Sequence, residues 1–306
     1  MTSIKLITTP YVIAEDLQLI LKKWARERGF KLPKEDFFIS LREEMKQELR
    51  KIFPRVEFVN EAKLLEGLKR SAILHQGPLI SLEKVYVENP PIAIEITRMI
   101  GEDLEPLSEG SRSHKPLDYQ AKEIAERLGG KLRHSVTILD DAIMSGNTLM
   151  NVIEKLRDVN IHVTHAVGGV VTEEAERRLT NAFPHIKISS VAHFPTIIGE
   201  VQHERDFYAG VPFSGRLIGK RGLPLNPETG APYFLPFGKP TEWGSIPEEH
   251  AKQWSLFCLN QSILLWLAIE EASGKEVRSK DLARTPKSIP SDDSRFIEHL
   301  KRVLKS

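Results

Sequence analysis

The feature that most constrains the fold is an alternation in the middle of the chain. SVTILDD (135–141), HVTHAVGGVV (162–171) and KISSVAHF (187–194) are short, apolar and rich in β-branched residues. Between them, TLMNVIEKLRDV (148–159) and TEEAERRLTNAF (172–183) carry apolar residues three and four apart. The first pattern reads as buried strand and the second as amphipathic helix. Strand alternating with helix predicts a parallel sheet, because each helix is the crossover that returns the chain to the same end. An α/β fold with a core of roughly five parallel strands is expected.

The flanks are less regular. Residues 11–53 read as largely helical: LQLILKKWARERG and FFISLREEMKQELRKIF are separated by Gly29 and Pro33, and Pro54 closes the second. From Val56 to Ile100, RSAILH, KVYVEN and PIAIEITRMI read as strands or a hairpin, with Gly77-Pro78 and Pro90-Pro91 between them. LDYQAKEIAERLGG (117–130) reads as a helix stopped by its glycines. Residues 206–247 are rich in Gly, Pro and aromatics and too long for a plain connection. A long helix is expected from Pro247 to Ser273, with Trp254, Leu256, Leu264, Leu265 and Trp266 as core, and a last one near 293–303.

Composition excludes several classes. Lys plus Arg total 43 against 42 Asp plus Glu, so no global charge points to nucleic acid or a membrane surface. The longest apolar run, Ile263 to Ile269, is far short of the ~20 residues that span a bilayer. Cys258 is the only cysteine, so no intrachain disulfide forms, and it reads as a buried small hydrophobe. MTSIKLITTPYVIAEDL lacks a signal-peptide pattern, and a cytoplasmic location is expected. The histidines form no HExxH, and there is no CxxC or GxSxG. GRLIGKRG is not a P-loop, because no Ser or Thr follows its Lys.

Chemistry concentrates in VTILDDAIMSGNTL (136–149). Asp140 and Asp141 stand at the carboxyl end of an apolar strand, where open α/β sheets bind ligands. Adjacent carboxylates repel unless a ligand or metal uses them. Two vicinal ribose hydroxyls would do so, and Mg2+ bound to the ligand would lessen the repulsion further. The turn Met144–Thr148 opens a helix, whose free N–H groups and dipole favour a phosphate. Gly146 permits close backbone approach, and Ser145 and Thr148 add hydroxyl donors. Taken alone, Asp-Asp or Ser-Gly-Asn-Thr is an ordinary strand end or N-cap; the ordered combination is the specific signal.

This segment resembles the ribose-phosphate motif of type I phosphoribosyltransferases: four apolar residues, two acids, two mostly apolar residues, then a Gly/Ser/Thr loop. The similarity extends over about residues 92–194 and is specific only at 136–149. The resemblance implies that Asp140 and Asp141 are catalytic and hold the ribose hydroxyls of phosphoribosyl pyrophosphate (PRPP). It assigns the 5′-phosphate to Ser145, Gly146, Asn147 and Thr148. It further implies Mg2+ as cofactor, a nucleobase-like acceptor, release of pyrophosphate, and a homodimer as a further expectation. The core is then expected at 61–200, between an N-terminal helical region (1–60) and a substrate-covering region (201–306).

Two departures stand out. Met144 occupies the position where purine-type members carry an Asp, and only Gly130 to Ser135 separate the preceding helix from the motif strand. Either residues 107–116 form the pyrophosphate loop and the mobile loop is lost, or they are the mobile loop and the pyrophosphate loop lies upstream. Arg112, His114 and Lys115 in LSEGSRSHKP have suitable chemistry for a pyrophosphate. Further along, Phe207, Tyr208 or Phe213 are candidates to stack on a base, and Arg216, Lys220 and Arg221 to pair with anions, although aromatics in such a segment more often form a small core. The rival function is a PRPP- or nucleotide-binding regulator on the same fold.

Overall fold

A computed structural model describes residues 9–74, 77–87, 89–97, 99–107, 115–129, 134–219 and 228–305. In chain order the strands are β1 (Tyr11–Ala14), β2 (Val56–Val59), β3 (Leu79–Ser81), β4 (Ile92–Ala93), β5 (Met99–Ile100), β6 (His134–Ile143), β7 (Ile161–Thr172), β8 (Lys187–Phe194), β9 (Gln202–His203), β10 (Arg216–Ile218), β11 (Thr229–Ala231) and β12 (Thr285–Pro286). The helices are α1 (Leu17–Arg28), α2 (Glu35–Arg50), α3 (Glu61–Leu74), α4 (Leu117–Arg127), α5 (Asn147–Asp158), α6 (Glu173–Ala182), α7 (Pro240–Trp243), α8 (Glu248–Ser273) and α9 (Phe296–Lys305). They fall into two compact units, one of residues 59–98 and 109–197, the other of 1–58, 99–108 and 198–306.

The first unit is the expected α/β layer. Its five strands run in the order β4-β3-β6-β7-β8, and every neighbouring pair is parallel. Parallel strands covered on both faces should be apolar throughout, and Val136, Ile138 and Leu139 of β6 are all buried. Ala121 and Ile124 of α4, Val152 and Leu156 of α5, and Ala175 and Leu179 of α6 share one core with Ile80, Ile138 and Ala166 of the sheet. The other face belongs to α3. A Cβ on Gly169 would meet Leu64 Cδ2 of α3, whereas one on the adjacent Gly168 would meet Ile143 of the shared core. Successive strand residues point to opposite faces, which separates the two layers. Gly67 lets α3 lie close to β8, because an added Cβ would stand 2.5 Å from Val191 Cγ2.

Several local expectations are corrected. RSAIL belongs to α3, whose Leu64 and Leu68 supply the buried stripe at helical spacing. KVYV (84–87) forms no strand, because its backbone N–H groups turn onto Glu83 instead of a neighbouring chain. Tyr11–Ala14 is a strand paired with β9, not the start of a helix. Leu256 and Leu264 are 43% and 46% exposed, so α8 buries Trp254, Leu265 and Trp266 but not these two.

The second unit surrounds α8. Two sheets, β2-β1-β9 and β12-β11-β10-β5, belong to it. Trp266 donates its indole N–H to the carbonyl of Ala209 at 2.7 Å and packs edge-on against Trp24 and Phe296. Phe207 and Tyr208, read from sequence as candidate base platforms, are fully buried here; Phe207 packs edge-on against Trp254. Arg216 lies over Trp243, and Arg284 over Phe213. Lys220 and Arg221 lie outside the described residues. Cys258 is buried, as expected. No helix among the described residues is long and apolar enough to cross a membrane.

Charges are also buried in this unit. Asp16 pairs with Arg205 and His203, and Glu204 accepts from Arg42 Nε at 3.0 Å. Burial outweighs Arg42 and pushes the Glu204 carboxyl up to about 7, with Asp16 and Glu15 adding to the rise. A carboxyl raised on folding stabilises below its unfolded value, and that contribution is lost as pH rises through the folded value. Glu204→Gln is therefore expected to gain on the parent between about pH 4.5 and 7. Melting temperatures across that window test it, and a constant difference would contradict it.

Candidate functional site at the carboxyl end of the central strand

The two carboxylates lie at an asymmetric point of the sheet. On one side, β6 pairs with β7 as far as Ile143, through Asp140↔Gly168 and Ala142↔Val170. On the other, the β3 ladder stops at Ser81↔Leu139, followed only by Leu82 N–H donating to the Leu139 carbonyl at 2.8 Å. The diacid is thus inside a strand toward β7, and just past the strand end toward β3. The sequence expectation of a simple strand end is corrected in that respect. The ladder's one-sided stop leaves the β3 side of the carboxylates outside the strand pairing.

Asp140 is half-buried, and its Oδ1 accepts the Asp141 N–H at 3.0 Å. Burial first, and the charge of Asp141 second, hold its carboxyl well above the usual carboxylate range; Glu83 raises it further. Glu83, only 2% exposed, is part of the same electrostatic group. Burial and Asp141 push it up to about 7 against the pull of three backbone N–H groups. The charge of Asp141 thus disfavours ionisation of both Glu83 and Asp140, and a ligand that brings positive charge would relieve them.

The turn after β6 leads straight into α5. Gly146 is the N-cap of α5 with φ of +74°, a left-handed conformation open to glycine. A Cβ there would come within 3.2 Å of Leu179 Cγ, so α6 also closes over this position. Thr172, the N-cap of α6, donates its hydroxyl to the Met144 carbonyl at 2.5 Å and accepts the Ala175 N–H. Ser145 and Asn147 are exposed, Thr148 is half-buried, and Asn147 N–H reaches Ser145 Oγ at 3.4 Å. The first-turn N–H groups of a helix have no intrahelical acceptor. Arg178 of α6 donates to Asn147 Oδ1 at 2.6 Å, which places a guanidinium at the turn.

The remaining candidates fare differently. Lys115 is exposed, and its ammonium pairs with both carboxylate oxygens of Glu123 at 3.0 Å. The hydrogen bond to Glu123 is the main reason its pKa lies above the ordinary lysine value. Gln120 ties the segment beside Lys115 to Glu95, beyond β4 and so beyond the far side of β3 from the diacid. Arg112 and His114 lie outside the described residues. Glu83, just after β3, lies near enough to Asp141 to feel its charge.

Sequence reading missed Glu83 and Arg178. Glu83 follows a three-residue strand, PLISLE, too short for any period to register. Arg178 sits 31 residues beyond its partner Asn147 and reads locally as one more charge on a helix. Gly169 is a further hidden constraint: an added Cβ would stand 2.5 Å from the Asp141 carbonyl oxygen. Gly169→Ala is expected to push β6 away at the diacid and cost about 1–3 kcal/mol, measured by urea denaturation. An unchanged midpoint would show that the sheet absorbs the methyl.

No family model and no curated protein matches this sequence. Among solved structures the chain is similar to Leishmania donovani UMP synthase, with 13% identity and a TM-score of 0.24 over 44% of this chain and 27% of that one. It is similar to the AQ2163 protein of Aquifex aeolicus, with 18% identity and a TM-score of 0.26 over 41% and 59%. It is also similar to adenine phosphoribosyltransferase from Thermoanaerobacter pseudethanolicus, with 13% identity and a TM-score of 0.24 over 43% and 78%. The matched part is thus about a quarter of the first protein and under two thirds of the second. Likeness at this level carries no function; the α/β assignment stands on the strand order and helices themselves.

Proposed function

We propose that residues 61–200 form a phosphoribosyltransferase-like core that binds PRPP and transfers its ribose 5-phosphate to a nitrogen base. One observation carries this reading: a half-buried diacid where the β3 ladder stops, followed by a glycine-capped helix N-terminus that bears Ser145, Thr148 and a nearby guanidinium. Asp140 and Asp141 accept from the two ribose hydroxyls. Ser145, Gly146, Asn147 and Thr148 hold the 5′-phosphate through hydroxyls and first-turn N–H groups. Among the described residues no three His, Cys, Asp or Glu side chains converge to hold a metal ion. Asp140, Asp141 and Glu83 fit a cation that arrives on the ligand, and Mg2+ carried there would supply charge neutralisation.

In the transfer, a lone pair on the base nitrogen forms the bond to C1 as the C1–O bond breaks. Pyrophosphate leaves with the bonding electrons, and the proton of the base is lost to solvent or to the leaving group. C1 carries positive character in between, and the negative diacid lies beside it, which is electrostatic stabilisation of a transition state. Holding both ends of the donor supplies the orientation.

A second reading, a PRPP- or nucleotide-binding regulator, has one observation in its favour. The Lys115 ammonium is paired with Glu123, and the loop beside the diacid presents Glu83, an acid, where a pyrophosphate would call for cations. The test is incubation with Mg2+, PRPP and a panel of nucleobases, with pyrophosphate release followed. Release with one base supports transfer. Binding of PRPP without release over the whole panel supports the regulator. Failure to bind PRPP or ribose 5-phosphate at all overturns the site.

A further inference from the structure

The loop after β3 turns its backbone N–H groups onto one of its own side chains. Glu83 Oε1 accepts the N–H groups of Val85 and Tyr86, the latter at 2.6 Å, and Oε2 accepts the N–H of Val87 at 2.8 Å. Three consecutive N–H groups converging on one carboxylate are a backbone anion nest. The nest lies at the carboxyl end of the strand next to β6, on the side of the diacid where the ladder is open. Here the anion is the chain's own side chain, and it is buried.

We infer that Glu83 is a built-in counterpart of a second ligand anion, so that in the folded site a diphosphate on C1 adds no affinity to a ribose that carries a 5′-phosphate. This rests on the ribose-phosphate reading of Asp140–Thr148. A ribose has its two hydroxyls on one edge, with C1 and C5 at opposite ends. With the hydroxyls on the diacid and the 5′-phosphate on the turn after β6, the C1 substituent is directed toward the β3 loop. A diphosphate there meets Glu83 in place of free N–H donors, next to two further carboxyls. It gains the nest only if Glu83 swings out. That displacement has a favourable component, because burial and Asp141 already disfavour the Glu83 charge. The residue therefore withholds the nest from the diphosphate, and its removal opens the nest to it.

Titration calorimetry of the full chain with Mg2+ tests this, using ribose 5-phosphate and PRPP as probes. The parent is expected to bind the two within about threefold of each other. Glu83→Ala is expected to tighten PRPP by at least about tenfold, because charge-assisted bonds to three N–H groups become available, while ribose 5-phosphate changes by less than about twofold. Glu83→Gln keeps the shape without the charge and is expected to move PRPP in the same direction by a smaller factor; it replaces the alanine variant should that one not fold. A parent that already prefers PRPP by about tenfold or more, with that preference unmoved or reduced in both variants, overturns the role of Glu83. Ribose 5-phosphate that fails to bind, or binds equally well to an Asp140→Asn/Asp141→Asn chain, overturns the underlying site and the inference with it. The two failures are therefore distinct.

Discussion

Asp140→Asn/Asp141→Asn is expected to abolish binding of ribose 5-phosphate and PRPP while leaving the protein folded and no less stable. Each carboxylate that accepts a ribose hydroxyl makes a charge-assisted bond worth about 1.5–3 kcal/mol, so losing both weakens binding by about 10²–10⁴-fold. The opposite effect on stability follows from the site's electrostatics. Burial and Asp141 raise the Asp140 carboxyl well above its ordinary value. A carboxyl raised on folding contributes stability that is complete below its unfolded value and lost as pH rises through its folded value. At neutral pH its charge is a cost to the fold that the amide does not carry. The double variant should thus equal or exceed the parent in melting temperature at neutral pH, and its advantage should shrink toward pH 4. A variant that loses both binding and fold would mean the pair is structural. Unchanged binding would remove the diacid from the ligand site.

Trp266→Ala is expected to have the largest effect on stability. The ring is fully buried in the middle of α8, hydrogen-bonded to Ala209, and edge-packed by Trp24 at 5.2 Å and Phe296 at 5.6 Å. Truncating such a residue costs about 3–5 kcal/mol, combining lost transfer energy with a cavity that rigid rings cannot fill. It also leaves the Ala209 carbonyl without this donor in an apolar setting. The four tryptophans, Trp24, Trp243, Trp254 and Trp266, all belong to the unit built around α8. Fluorescence during urea unfolding therefore reports on that unit. A loss below about 1 kcal/mol would show that Trp24 and Phe296 collapse into the space.

Much of the α/β core was legible because its signals are local. The apolar run before Asp140, the helical period from Thr148 and the repetition through Phe194 each lie within a dozen residues, and all became strands and helices of one parallel sheet. Gly274 as the stop of the long helix was equally local, since its φ of +65° needs only its own backbone. Errors came where local pattern competed with distant packing. RSAIL is apolar and short enough for a strand, yet α3 claims it because Leu64 and Leu68 find β7 and its neighbours one layer away. Leu256 and Leu264 satisfy a helical pattern but meet solvent.

The same division runs through the site. The amino-acid sequence by itself determined that a strand carries two adjacent acids and that a turn into a helix follows, with Gly146 five residues after Asp141. These are neighbours along the chain, and strand and helix geometry dictates their spacing. Only the tertiary structure decided what surrounds them. The β3 ladder stops beside Asp140 while the β7 ladder continues, Arg178 reaches Asn147, and Glu83 fills the N–H groups of its own loop. Such facts depend on which strands lie side by side, a choice made by burial across the whole sheet and by no short stretch of residues.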